Sequence, residues 1–140
     1  MREKKHCKAL ALGLALSTAL ITAETSADNV SGKQNLVCAA NHVVGCTEGI
    51  CMQGHASTFD IPTFMFIDFQ RKMVLGVDEA GKEIVSPVKS METTDRAIIL
   101  QGFENHHGWT MGIDRQQRHL TMSSTGADVN FIITGECTER

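Results

Sequence analysis

Two adjacent histidines, His106 and His107, stand in the polar run Asn105-His106-His107-Gly108 just ahead of the chain's one tryptophan, Trp109. Imidazoles titrate near neutrality and bind metals through a neutral nitrogen, so a loop with two of them suits proton transfer, metal binding or polar recognition. Within a strand they would point to opposite faces, so only a loop lets them converge. The plainer account is a polar turn before a core Trp, which makes His106 and His107 candidates for binding rather than catalysis. His119 would have to approach His106 across a hairpin to add a third imidazole. Ser86-Pro87-Val88-Lys89 matches the Ser-x-x-Lys nucleophile pattern of penicillin-recognising enzymes. Those enzymes also need Ser-Asp-Asn and Lys-Thr-Gly elements on a larger scaffold. The chain has neither, so the match reads as chance and no catalytic residue is assigned.

A second concentration of ligand-type residues is Cys38, His42, Cys46, Cys51 and His55, with Met52 beside the last. Thiolate and imidazole together suit zinc, and His with Met suits copper. The spacing does not reproduce the paired ligands of common zinc modules, so His42, His55 and Met52 are only weak metal candidates and no cofactor is expected. The remaining methionines sit mostly at alternating positions, where they fill core.

The cysteines favour another use. Of five, Cys7 falls in a basic leader, leaving Cys38, Cys46, Cys51 and Cys137. An even number in an exported chain reads as two disulfides, with three pairings possible. Pairing Cys46 with Cys51 across a Gly-containing turn, and Cys38 with Cys137 across the chain ends, is favoured. No Cys-x-x-Cys redox motif or haem-attachment motif occurs.

Export is read from residues 1–27. Arg2, Lys4, Lys5 and Lys8 precede an uncharged run at 9–23, and Thr25-Ser26-Ala27 supplies the small residues of a cleavage site. Basic leader, apolar run and small-x-small site make a secretory signal, and the run is short for a membrane span. Cleavage after Ala27 would take four basic and two acidic residues, turning 13 and 16 into 9 and 14, a net charge near −5. An acidic chain without a Lys/Arg cluster speaks against nucleic acid or an anionic membrane as partner, and the mature chain has no expected span. The expected location is outside the cytoplasm, in the periplasm or secreted.

The elements that must position these residues are strands. A Cys-rich segment at 28–58 precedes an antiparallel β region at 59–140 of the same single domain. Residues 64–69 are apolar at both alternating sets, which predicts a strand covered on both faces or at least crossing the core. Pro87 marks its strand as an edge or a bulge. Trp109, Met111 and Ile113 alternate with Thr110, Gly112 and Asp114, and Val129, Phe131 and Ile133 alternate with Asn130, Ile132 and Thr134. Strands every 8–12 residues or so with Gly, Asp and Ser turns predict a small all-β sandwich or barrel, tied by disulfides. Any helix would lie before Phe59. Ile67-Asp68 and Ile113-Asp114 each precede a basic, Gln-containing turn, where Asp can bond turn amides.

The chain resembles a set of small exported bacterial proteins with no assigned activity. The resemblance rests on Cys38/Cys46/Cys51, on Ile67-Asp68, on Gly108-Trp109 with Ile113-Asp114, and on the closing Gly135-Glu136-Cys137-Thr138. It implies export and a compact β domain.

The leading functional expectation is therefore an exported, non-catalytic binding protein, with a basic exported protein or a cell-envelope ligand as partner. A metal-binding periplasmic protein is the alternative, and a small hydrolase the third.

Overall fold

The computed structural model describes residues 29–140; the expected signal at 1–27 lies outside them. The strands are β1 (Leu36–Thr47), β2 (Ile50–Gly54), β3 (Phe64–Asp68), β4 (Met73–Val77), β5 (Glu83–Thr93), β6 (Ala97–Glu104), β7 (His107–Asp114), β8 (His119–Thr125) and β9 (Asn130–Glu139). A single 3-10 turn, Ala56–Phe59, precedes β3, where the sequence left room for a helix. Every pairing is antiparallel, consecutive strands from β3 to β9 are neighbours, and β9 returns to β1. Eight strands thus close into a barrel rather than a sandwich. Closure removes the unpaired strand edges that would otherwise template aggregation.

β1 serves three partners. One edge pairs with β9 along nearly its whole length; the other pairs first with β3 (Leu36↔Ile67 to Ala39↔Phe64) and then with β2 (Val43↔Gly54 to Thr47↔Ile50). The sequence reading began the β pattern only at Phe59 and so missed this strand. The cause is a bulge: the register with β9 shifts between Ala40 and His42. Leu36, Cys38 and Ala40 face inward below it, Val43 and Gly45 above it. The extra residue breaks the period of two on which strand recognition depends. Gly135 lies opposite the bulge, and a Cβ there would run into the Ala39 carbonyl.

Both disulfides join residues directly opposed in register. Cys38–Cys137 crosses the closing β1/β9 seam on the buried face, and Cys46–Cys51 ties the β1–β2 hairpin. Side chains alternate elsewhere as expected: Trp109, Met111 and Ile113 on β7 are buried, as are Ile133 and Cys137 on β9. β3 departs from expectation. Met65 and Ile67 face the core, but Phe64 is 64% exposed and Phe66 half-buried, so this strand is covered on one face only. In a closed barrel without an outer layer, one side of every strand meets solvent. Pro87 takes the bulge option, beside a register shift between Val88 and Ser90.

The two Ile-Asp hairpins share one turn. Asp68 Oδ1 accepts from the Arg71 N–H at 2.9 Å; Asp114 Oδ1 accepts from the Gln116 and Gln117 N–H groups at 2.8 Å each. The residue four places on, Lys72 or Arg118, takes a left-handed conformation (φ 55° and 62°). The amides of Gln117 and Gln116 hold the Asp114 carboxyl below the usual carboxylate range. A depressed folded pKa contributes stability that is full above the unfolded value and is lost as pH falls through the folded one. Asp114→Ala should therefore cost stability near neutrality and flatten the acid limb of a urea-midpoint-against-pH curve; an unchanged limb would refute the turn's role.

One end of the barrel is stoppered by residues 29–35. Val30 is fully buried, donates its N–H to the Arg115 carbonyl (2.9 Å) and accepts from Arg115 Nε (2.9 Å). The Glu139 carboxylate receives the Ser31 N–H and hydroxyl at 2.5 and 2.6 Å. Above this stopper Leu36, Ile67, Ile98, Leu100, Ile113 and Leu120 pack the interior with almost no exposure. Among the described residues no helix is long and apolar enough to cross a membrane.

Candidate binding cavity at the open end

The opposite end of the barrel is not filled. A cavity of about 250 Å³ opens between the 3-10 turn, the β6–β7 turn and strands β3 to β9. The inward positions of β7 grade its wall, from His107 at the rim through Trp109 to Met111. Met122 and Ser124 on β8 and Phe131 and Ile133 on β9 continue the wall, and Met65, Ile84 and Ser86 face them. Of the methionines read as core filling, Met65 and Met111 are buried and Met122 packs against the core, and these three also line the space, whereas Met91 is exposed.

Trp109 is placed by a glycine. Its cross-strand partner is Gly102, where a Cβ would collide with the indole, so the ring lies over β6 and reaches β5. There the indole N–H donates to Ser86 Oγ at 2.7 Å. Ser86 is the one buried polar side chain among the described residues, at 5% exposure. It points inward while Lys89, at the β5 register shift, is exposed, so the Ser-x-x-Lys match has no structural counterpart. The sequence reading noticed Ser86 only through that chance motif. Ser86 alternates with Val88, the register partner of Gly102, and so shares the inward face with Trp109 across β6.

The two binding-candidate histidines separate. Asn105 and His106 both have positive φ (45° and 67°) and form a two-residue hairpin turn between Glu104 and His107, which pair. Positive φ at both central residues is the pattern of the tight turn that suits strand twist. His106 is consequently exposed, whereas His107 faces the cavity. The His107 ring stacks on Phe131 (centroids 6.4 Å apart, 27°), which meets Phe59 edge-on at 5.9 Å. Ser124 Oγ lies 3.4 Å from His107 Nδ1. Burial pushes the Glu104 carboxyl up, with His107 and Lys82 pulling the other way. A raised folded pKa favours the protonated acid, so the stability it brings is full below the unfolded pKa and lost as pH rises through the folded one.

His119 does not approach His106. It starts β8 at the far end of β7, beside Ile113–Leu120, about 20 Å down the strand at ~3.3 Å per residue. His42, His55 and Met52 are exposed, and all four candidate thiols are in disulfides. Among the described residues no three His, Cys, Asp or Glu side chains gather into a metal-sized cluster.

What the fold and cavity define is a small closed antiparallel barrel, stoppered at one end and open at the other onto an aromatic and thioether-lined hollow. No family model matches the chain, and no curated protein does.

Proposed function

We propose that the chain is an exported, non-catalytic binding protein whose binding site is the open end of the barrel. The observation that carries this reading is the hollow itself. A packed interior is the norm at this size, with few voids larger than a water. Here a closed barrel leaves a mostly apolar space with a few convergent polar groups, the usual make-up of a ligand site. Eight strands also give an interior just wide enough to hold one small ligand. Two disulfides fit an oxidising compartment outside the cytoplasm.

Protein purified without denaturation from exporting cells should release a small molecule on unfolding, seen by mass spectrometry. Ser124→Phe, which puts a ring in the mouth, should release none. His107→Ala should weaken retention, and His106→Ala should leave it unchanged. Equal release from wild type and Ser124→Phe would move the site elsewhere.

Hydrolysis is a second reading with one observation behind it: Ser124 Oγ lies 3.4 Å from His107 Nδ1, while Glu104, the register partner of His107, has its carboxylate on the Asn105 amide rather than on the imidazole. A hydroxyl, a base and an orienting carboxyl are parts of a nucleophilic site, but charge stabilisation at the reacting oxygen is also required. Turnover of small esters abolished by Ser124→Ala would replace the binding reading with this one.

A further inference from the structure

The polar pair at depth narrows the ligand class. Ser86 Oγ accepts from Trp109, and the serine's own hydrogen has no acceptor among the described residues. A serine hydroxyl can donate once and accept twice. This one is 95% buried, on the cavity wall. Donation into Oγ from the indole polarises the O–H and makes it a better donor. A buried donor without an acceptor is costly, so a molecule entering the cavity gains by supplying one.

Size and charge narrow it further. A dry cavity of about 150 Å³ accommodates benzene, so the 250 Å³ here has room for about ten heavy atoms. The walls met by such a molecule are indole, phenyl and thioether: Trp109, Phe131, Met65 and Met122. Asp60 and Glu104 stand at the rim, which sets an unfavourable field for an anion.

We propose that the cavity binds a neutral, ring-sized apolar molecule of about ten heavy atoms that carries one hydrogen-bond acceptor, a carbonyl or ether oxygen, seated on the Ser86 hydroxyl. The proposal rests on the binding reading above and specifies its ligand.

Three probes of equal heavy-atom count test it: acetophenone, its alkene isostere α-methylstyrene, and benzoate. Calorimetry or ligand-observed NMR gives their affinities for Trp109→Phe, and for Trp109→Phe with Ser86→Ala. The Phe background removes the indole N–H, which would otherwise substitute as donor once Ser86 is gone. The ketone-over-alkene affinity ratio should fall on the order of 2- to 12-fold when Ser86 is removed, the worth of one net hydrogen bond. Should the Phe background unfold, wild type against Ser86→Cys repeats the comparison, since the thiol sulfur still accepts from the indole N–H while its own S–H donates only weakly. Benzoate should bind least to every form. A ratio unchanged by loss of the hydroxyl, with both neutral probes still bound, would overturn the Ser86 assignment and leave the open-end site standing. Benzoate binding as tightly as the ketone would overturn the neutral class. No binding of any probe, together with no small molecule released from the native protein, would overturn both this proposal and the reading beneath it.

Discussion

Replacing Cys38 and Cys137 together by Ala should lower the unfolding free energy by roughly 2–5 kcal/mol, the usual loss for a native bridge in a small domain. The two cysteines are 99 residues apart in sequence and opposed in register on the seam that closes the barrel. Chain-entropy reasoning puts a cross-link of that span at about 4–5 kcal/mol, against about 2 kcal/mol for one spanning a few residues. The Cys46–Cys51 bridge has a sequence separation of 5 and lies in a hairpin already held by its turn and by pairing with β9. Cys46→Ala/Cys51→Ala should therefore cost distinctly less. Urea unfolding of both double variants beside wild type measures the order. Equal losses, or a larger loss for the short bridge, would contradict the assignment of the long bridge as the main brace.

Trp109→Ala should cost about 3–5 kcal/mol, the range for removing a large buried aromatic. Three effects add. The indole is 5% exposed and lies over Gly102, so its removal opens a void on a stretch of β6 with no side chain to collapse into it. The cavity wall loses its largest surface. Ser86 loses its only hydrogen-bond partner among the described residues and is left as an unsatisfied buried hydroxyl. Trp109→Phe should cost less, because a phenyl ring keeps part of the packing while the rest of the indole volume and its hydrogen bond are lost. Thermal and urea unfolding of the pair decides it. A loss for Trp109→Ala no larger than for Trp109→Phe would mean that the ring contributes little packing there.

Strand content and barrel-or-sandwich class were legible because they rest on local signals, period-two burial on β7 and β9 and turn residues. An even cysteine count pointed to two disulfides, and the favoured pairing rested on the short Cys46–Cys51 link and the placement of Cys38 and Cys137 near the chain ends. β1 was not legible, because the bulge near Asn41 interrupts the alternation on which strand recognition depends. Exposure of Phe64 was misjudged for a different reason. An apolar residue on the outer face of a barrel strand reads like core in sequence, and only closure decides which face is out. Of the candidate site, the His106–His107 loop was legible in the sequence, whereas Trp109 read only as core. The sequence did not separate the two histidines, since a tight turn with two positive φ angles is needed to turn one to water and the other to the cavity. Ser86, Phe59 and Phe131 come from three distant stretches of chain. Nothing in their local sequence signals convergence, because barrel topology brings them together.

The seam between the first and last barrel strands also sets the order of events in folding. β1 and β9 pair along nearly their whole length, at a sequence separation of 99 for Cys38 and Cys137. Every hairpin from β3 to β9 can form from neighbours, but the barrel cannot shut until β9 has arrived. Non-local pairing of this kind places folding in the millisecond-to-second class of β-rich domains, because loop-closure entropy is spent before the contacts are made. Until then β1 and β9 are open sheet edges, which hazard pairing between chains. Cys38 and Cys137 come into register only where these two edges meet, so their bridge holds shut the seam that forms last.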